Sequence, residues 1–505
     1  MFPTVSISIS LKDLINISSW TKKKYYDQLR LYSSASEIIL KKFHFPKHLI
    51  KEDINKITCG YKLDTHNFEV TIASNFLSIA TPTMGEMQLF YFFSNDHFFA
   101  SDSFAHLISL IPQELMPPLD VEGVINFLSL DFKLDERTLF SGIKLLRENS
   151  KLKINNNQLE VSVLLDWKEI ITLGSSTYTL DSAVKLFEKR LSESIDSTLK
   201  NYQGKVASTL SGGIDSSLIS AALINKQGKD TLLCTIAFTE PDRTYQEKRV
   251  NDFINRFGGE LNIIDILKTS LLSEDGNTYL LDPYIDPYAQ SIIKLSEKSF
   301  SNNNFIILNG HGGDHLFNQL NKETTSSYKK DISHFFSKSA QQFLFKKNNS
   351  KKSIASIISG SISKTLFSNY PCWRSVGIWP HAPLLTPEII SMSHLLPARL
   401  RQNKIVITEY MKRNDFPHSV LSSYNPNYAS FFNNQISKIS KNKIKKIIKE
   451  STPNKMGLIN YNHIEQTLSK KSIDKKHKKR LHQLLYATIR LELFLKSISK
   501  GDSYA

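Results

Sequence analysis

The stretch Val206-Ala207-Ser208-Thr209-Leu210-Ser211-Gly212-Gly213-Ile214-Asp215-Ser216-Ser217 joins three local signals that few folds accommodate together. Val206 to Leu210 has strand length and a β-branched start. Ser211, Gly212 and Gly213 then let backbone N–H groups approach a ligand, because the two glycines put no Cβ in the way. Asp215, Ser216 and Ser217 open an apolar helical pattern carried by Leu218, Ile219, Ala222 and Leu223. A helix N-terminus beside a glycine turn presents free N–H groups to an anion such as a phosphate. Asp215 adds a carboxylate suited to holding Mg²⁺ against that anion. No Gly-Lys-Ser/Thr follows the glycines, which excludes the common P-loop. A capped strand–turn–helix junction is the competing explanation for a lone Gly-Gly, and the full string argues against it.

The string Ser-Gly-Gly-x-Asp-Ser-Ser resembles the pyrophosphate loop of ATP pyrophosphatases. That resemblance implies cleavage of ATP between its α and β phosphates and an adenylated substrate. From 201 onward strands alternate with helices. Strands are expected over 206–210, 231–238, 261–266 and 305–308, and helices over 215–224, 245–257 and 287–298. The alternation predicts an α/β fold with a parallel, doubly wound sheet and its ligand at the C-terminal strand ends. A second glycine turn, Gly310-His311-Gly312-Gly313-Asp314-His315, follows the fourth strand. Asp215 and Asp314 are then placed to share one Mg²⁺ that also holds the ATP phosphates. His311 and His315 lie in a short loop without other nearby ligands, so zinc is not expected.

Residues 1–170 have a different pattern. Val5 to Ile9 and Phe68 to Ile72 alternate with period two. Two hairpins are expected, 88–93 with 98–100 and 152–154 with 159–161, and short helices at 103–111 and 121–128. The result is an antiparallel α+β domain. A polar link at 171–180 leads into a helix at 181–199. The second domain then occupies 180–505, with a basic and mostly helical part after 320; the polar segment 323–352 is expected as a surface helix with a loop.

Composition limits the partners. Lys and Arg exceed Asp and Glu by 64 to 48, giving +16, which favours an acidic peptide, a nucleotide or a membrane surface. The runs 438–449 and 470–480 hold much of the excess and read as solvated helix faces. No aromatic residues interleave with Lys478-Lys479-Arg480, so nucleic acid is not expected. Cys59, Cys234 and Cys372 are far apart and form no Cys-x-x-Cys, which indicates neither disulfide framework nor zinc and fits a reduced cytoplasm. No apolar run reaches the length of a membrane span.

Both loops together look like the synthetase half of the asparagine synthetase-like family, which includes β-lactam synthetases and lasso peptide cyclases. The N-terminal order is similar too: a Phe/Tyr hairpin, then Phe99-Ala100-Ser101, then Thr138-Leu139-Phe140-Ser141-Gly142-Ile143. Glutamine-using members carry there an N-terminal-nucleophile amidase, whose Cys follows the initiator Met. Residue 2 here is Phe2, so the domain resembles a degenerate amidase. Asparagine synthetases usually have Glu where this chain has His311, and β-lactam synthetases Tyr; Gly-His-Gly-Gly-Asp-His most resembles lasso cyclases of the microcin J25 type.

The resemblance implies an ATP- and Mg²⁺-dependent ligase that adenylates a side-chain carboxyl of a ribosomal precursor peptide and closes a macrolactam. It also implies a leader-binding protein and a leader peptidase as partners. Ser211, Gly212, Gly213, Ser216 and Ser217 would cradle phosphates, with Gly310, Gly312 and Gly313 lining the second loop. Asp215 and Asp314 would hold the metal, and His311 would accept the amine proton or orient the acyl-adenylate. Residues 379–385 fall where the family has a loop near the acceptor. The family's Arg-x-Lys pair is replaced by Ser423 and Asn425, which leaves open which lysine serves the phosphates; Lys412 is nearby in sequence. A small-molecule amide synthetase and a catalytically inactive binding scaffold remain alternatives. Without the Cys nucleophile, the protein is expected to release no glutamate from glutamine above a no-enzyme control.

Overall fold

The computed structural model describes residues 5–11, 20–24, 28–41, 47–53, 56–62, 68–83, 85–94, 96–129, 137–164, 177–201, 205–238, 240, 242–266, 282–285, 289–300, 305–317, 331–345, 360–422, 436, 439–470 and 474–499. Phe2, Ser423, Asn425, most of the 171–180 link, 323–330 and 346–352 lie outside the described residues. The described part of the polar segment holds a helix, Lys338–Phe345, but Ala340 and Leu344 anchor it in the core, so it is not simply the surface helix expected.

Five strands form the second half's sheet: β1 (Lys205–Thr209), β2 (Leu232–Ala237), β3 (Glu260–Asp265), β4 (Phe305–Leu308) and β5 (Ile378–His381). Their order is β3-β2-β1-β4-β5, and every pairing is parallel. The first four are the strands expected from sequence. The fifth overlaps residues 379–385, which the resemblance placed in a loop near the acceptor; its Pro380 is tolerated because the strand lies at the sheet's edge, where one side needs no N–H donor.

Helices that pack on this sheet or frame its loops include α1 (Leu180–Asn201), α2 (Ile214–Gln227), α3 (Asp242–Phe257), α4 (Ala289–Ser299), α5 (Gly313–Phe317), α6 (Gly360–Ser375) and α7 (Ile405–Arg413). Strand periodicity sends alternate side chains to opposite faces. Val206, Ile306, Leu308 and Trp379 share a core with Phe187 of α1, Leu218 of α2, Phe253 of α3 and Val406 of α7. Ala207, Ile307 and Ile378 pack instead with Ile292 and Leu295 of α4 and with Leu484 and Leu491 of the C-terminal helix Lys475–Ser499. Both faces are therefore covered, and strand order reverses between β1 and β4, where such sheets open a crevice for ligands.

The first half is antiparallel. One sheet runs Ile143–Leu146, Leu89–Ser94, His97–Ser101, Val5–Ser10, Glu37–Lys41, Gln28–Tyr32 and Thr21–Lys24 in spatial order. The other runs Gln158–Val163, Ser150–Asn155, Phe76–Ala80, Phe68–Ala73, Lys56–Lys62 and Lys47–Asp53. Both expected hairpins are present. Val5, Ile7 and Ile9 of the first sheet meet Val70, Ile72 and Ile79 of the second in one core. Phe90, Phe92 and Phe99 face the other way, onto helices Phe104–Leu110 and Val121–Leu128. The outermost strands Thr21–Lys24 and Lys47–Asp53 escaped the sequence reading because they are lysine-bearing edges, a composition that discourages further pairing. Among the described residues no helix is long and apolar enough to cross a membrane.

The halves join through an aromatic core. Tyr284 packs its ring on Phe90, Phe104 and Phe127 at 5.2, 4.9 and 5.8 Å between centroids, and Phe494 lies 5.6 Å from Phe104. Into this apolar contact Asp282 inserts a buried carboxylate. Its Oδ2 accepts from Phe104 N at 2.7 Å, Ala105 N at 3.3 Å and Ser103 Oγ at 3.1 Å, and its Oδ1 from Tyr284 N at 3.0 Å. Burial pushes this carboxyl up, and the hydrogen bonds from Tyr284, Ala105, Ser103 and Phe104 oppose the shift. A residue of the second half thus caps a helix of the first. Asp282→Ala should strand several buried donors at once, at roughly 1–3 kcal/mol for a buried unsatisfied group. Chemical denaturation should show a lower midpoint, with Asp282→Asn intermediate.

Candidate active site

The first loop leaves β1 at Leu210, whose carbonyl accepts from Thr235 Oγ1 on β2 and whose N–H reaches Cys234 O at 2.9 Å. Gly212 has φ +77°, a left-handed turn that a side chain would strain. Ser216 Oγ closes the turn: it accepts from Ser211 N at 3.1 Å, meets Ser211 Oγ at 2.9 Å and donates to Gly213 O at 3.1 Å. Gln246 on α3 props the loop from outside, donating to Ser211 O at 3.4 Å and Ile236 O at 3.1 Å. Gln246 was not singled out from sequence; its polar side chain on a helical face carries no motif. Gly213 stands at the N-cap of α2, and no side chain caps the helix, so its first N–H groups remain for a ligand. Ser217 Oγ is buried without a hydrogen-bond partner in the same turn.

The second loop starts at the tip of β4, which pairs with β1 in the register Ser208 to Leu308. The two loops therefore touch. A Cβ on Gly310 would lie 2.6 Å from the Asp215 carbonyl carbon and the Ser216 nitrogen, and a Cβ on Gly313 2.3 Å from Asp215 Cγ and Oδ1. These glycines are required by close approach of one loop to the other. Gly312, at φ +110°, turns the chain into α5, which carries Asp314 in its first turn.

A lysine completes the meeting point. Lys404 Nζ lies 2.8 Å from Asp215 Oδ2 and 2.7 Å from Asp314 Oδ1. The Lys404 and Asp215 side chains are 12% and 14% exposed, whereas that of Asp314 is 58% exposed. Burial pushes the Asp215 carboxyl up to about 6; Lys404 opposes that rise and Asp314 adds to it. Burial would lower the Lys404 ammonium, but the two carboxylates outweigh it and hold it above the usual lysine range. Lys404 gets there through an unusual backbone. Asn403 and Lys404 both have left-handed φ, 53° and 54°, at about 1–2 kcal/mol for each non-glycine residue. Lys404 N donates to Phe317 O at 2.7 Å, tying the start of α7 to the end of α5. Lys404, and not Lys412, is the lysine at the two carboxylates; Lys412 is exposed further along α7. Sequence inspection missed Lys404 because a lone lysine before a helix has no signature.

His311 lies between these groups and α6. Its N–H donates to Asn309 Oδ1 at 3.1 Å, and its ring is 6.0 Å from that of Tyr370. Nδ1 is buried without a partner. Burial lowers the imidazole to about 4, with His315 adding to the shift, so the ring is neutral at pH 7. His381, at the tip of β5, is similar: its Nε2 is buried without a partner, and burial lowers it to about 4.

The donor set fits ATP and Mg²⁺. Asp215 Oδ1 is buried with no hydrogen-bond partner, Asp314 faces outward, and the glycine cradle and uncapped helix end lie beside them.

Residues 186–372 match the asparagine synthase family. The match supports the asparagine synthetase-like family and ATP-using ligase-type chemistry; it spans under half of the chain and stops short of β5 and Lys404. No curated protein sequence matches the chain. Among solved structures, NMN synthetase from Francisella tularensis aligns at 14% identity over 65% of this chain and 98% of its own, with a TM-score of 0.23. The U34-tRNA thiolase NcsA from Methanococcus maripaludis aligns at 16% over 48% and 76%, also with a TM-score of 0.23. Glutamine phosphoribosylpyrophosphate amidotransferase from B. subtilis aligns at 8% over 60% and 84%, with a TM-score of 0.19. Similarity at this level carries nothing about substrate.

The glycine contact is testable by itself. Gly313→Ala drives a methyl into the Asp215 carboxylate, and overpacking of this kind costs ~1–3 kcal/mol. Calorimetric titration should show Mg-ATP binding weakened about tenfold or more, with Gly228→Ala, whose added methyl meets nothing within 4 Å, as the strain-only control.

Proposed function

We propose that this protein is an AMP-forming carbon–nitrogen ligase that closes a macrolactam in a ribosomal precursor peptide. The observation that carries the ligase reading is the Lys404 ammonium held between Asp215 and Asp314, beside an uncapped helix N-terminus. The peptide-cyclase reading adds the His311-bearing loop and the +16 charge, which suits an acidic or partly acidic peptide.

Backbone N–H groups of Ser211, Gly212 and Gly213, with the Ser216 and Ser217 hydroxyls, cradle the phosphates, and Gly310, Gly312 and Gly313 let the second loop close over them. Asp215 and Asp314 are the residues that would hold Mg²⁺, which would neutralise phosphate charge when bound. Lys404, beside both carboxylates, would supply to the phosphates the charge that Asn425 lacks. A lysine at this point supports the ligase reading over the scaffold alternative, which rested on the missing Arg-x-Lys pair. A peptide carboxylate attacks the α-phosphorus, pyrophosphate leaves, and the acyl-adenylate forms. The peptide's amine attacks the acyl carbon, AMP leaves, and the amide closes after loss of a proton. A neutral His311 with a free Nδ1 suits accepting a hydrogen bond from that amine. A leader-binding protein and a leader peptidase would deliver the core peptide.

The test combines pyrophosphate–ATP exchange with mass spectrometry. The core peptide should lose one water with release of AMP. Lys404→Gln should lower exchange by about 10²–10³-fold, as loss of a preorganised charge does, while Lys412→Gln keeps it. His311→Ala should slow ring closure roughly 10²-fold and exchange much less. Conversion of free aspartate and ammonia to asparagine, with no peptide product, would replace the cyclase by a small-molecule synthetase.

A further inference from the structure

Helix α6 touches the first half at one end and the second loop one turn earlier. At its end Arg374 is 2% exposed and pairs with Asp102, 3% exposed, at 3.1 Å. The same guanidinium donates to Glu86 O and lies 5.8 Å over the Trp379 ring of β5. The other oxygen of Asp102 accepts from Val5 N at 3.1 Å, and Ser101 Oγ donates to Val5 O at 2.8 Å. Four residues before Arg374, buried Tyr370 accepts from Asn309 Nδ2 at 3.3 Å. Asn309 in turn accepts from His311 N and donates its own N–H to His381 O at 3.0 Å. A hydrogen-bonded path therefore runs from Val5 through Asp102, Arg374 and one turn of helix to Tyr370, Asn309 and His311.

The path is directional in a way the surrounding core is not. Apolar packing tolerates small sliding, whereas a buried ion pair accepts few geometries and leaves an uncompensated charge when broken. Residues four apart on a helix lie on the same face, so a shift of α6 moves both contacts together. Pro371, between them, supplies no N–H to the preceding turn, so this part of α6 draws less on its own ladder for its position.

We propose that Asp102 and Arg374 are positioning residues for the His311 loop: the first half braces α6, and α6 sets Asn309 and His311. This gives the first half a role that needs no amidase nucleophile. The kinetic arm rests on the ligase reading above; the structural arm does not.

Two variants probe opposite ends of the path. Asp102→Asn keeps shape and an acceptor but removes the charge; Tyr370→Phe removes the acceptor for Asn309 without stranding a charge. Hydrogen exchange read by mass spectrometry should speed up at 309–313 in both, by about tenfold, while protection of β2 is kept. In ring closure each should lower kcat by about tenfold with KM for ATP unchanged, and the double variant should fall no further than the worse single one, because both act through one path. Unchanged exchange at 309–313, or additive losses in the double variant, would overturn the proposal. Should Asp102→Asn not fold, unchanged exchange in Tyr370→Phe alone does so. If the native protein makes no cyclic product, the ligase reading fails, and the exchange result still decides the coupling.

Discussion

The Lys404 ammonium between Asp215 and Asp314 is where three separate pieces of chain are forced together. Two carboxylates at neighbouring strand tips repel each other, and burial makes the Asp215 charge harder to keep. A cation between them relieves both costs, and α7 supplies it by accepting two left-handed residues. The loops can come that close only because Gly310 and Gly313 carry no side chain toward Asp215. The parallel register of β1 with β4 then sets both carboxylates at one height. Remove any of these and the others lose their reason: the strained turn, the glycines and the buried charge explain one another.

Around that point the fold divides its work between apolar and polar contacts. The aromatic cluster of Phe90, Phe104, Phe127, Tyr284 and Phe494 holds the halves together by buried area, which has little directional preference. Asp282 on the Phe104–Leu110 helix and Arg374 on Asp102 fix how the halves meet, because hydrogen bonds fail within a fraction of an ångström. Placing such groups inside an apolar interface is expensive unless every partner is in position. The first half is joined to the second by the kind of contact that transmits position.

The neutral imidazoles at the strand tips follow from the same geometry. His381 is buried at the tip of β5, and His311 lies partly buried at the start of the second loop with its Nδ1 out of solvent; in both, burial disfavours the charged ring. A neutral ring with an unpartnered nitrogen is suited to a hydrogen bond with a reacting group rather than to holding a positive charge.

Local pattern alone determined the alternation of strands and helices, the placement of both glycine loops at strand ends, the two hairpins and the capped helix after Ser103. These depend on periodicity, turn chemistry and N-capping, which act over a few residues. Neither β5 nor the lysine-bearing edge strands could be read that way: Pro380 argues against a strand until the sheet offers an edge, and edge strands lack the alternation that marks a buried face. Asp215 and Asp314 were legible because each follows a glycine turn. Lys404, Gln246, Asn309, Tyr370 and the Asp102–Arg374 pair were not. Their partners lie far along the chain, 189 residues away for Lys404 with Asp215 and 272 for Arg374 with Asp102, and no local rule links residues at such separations. Only closing the sheet and docking the two halves brings them within hydrogen-bonding distance, so their meaning exists in the tertiary structure alone.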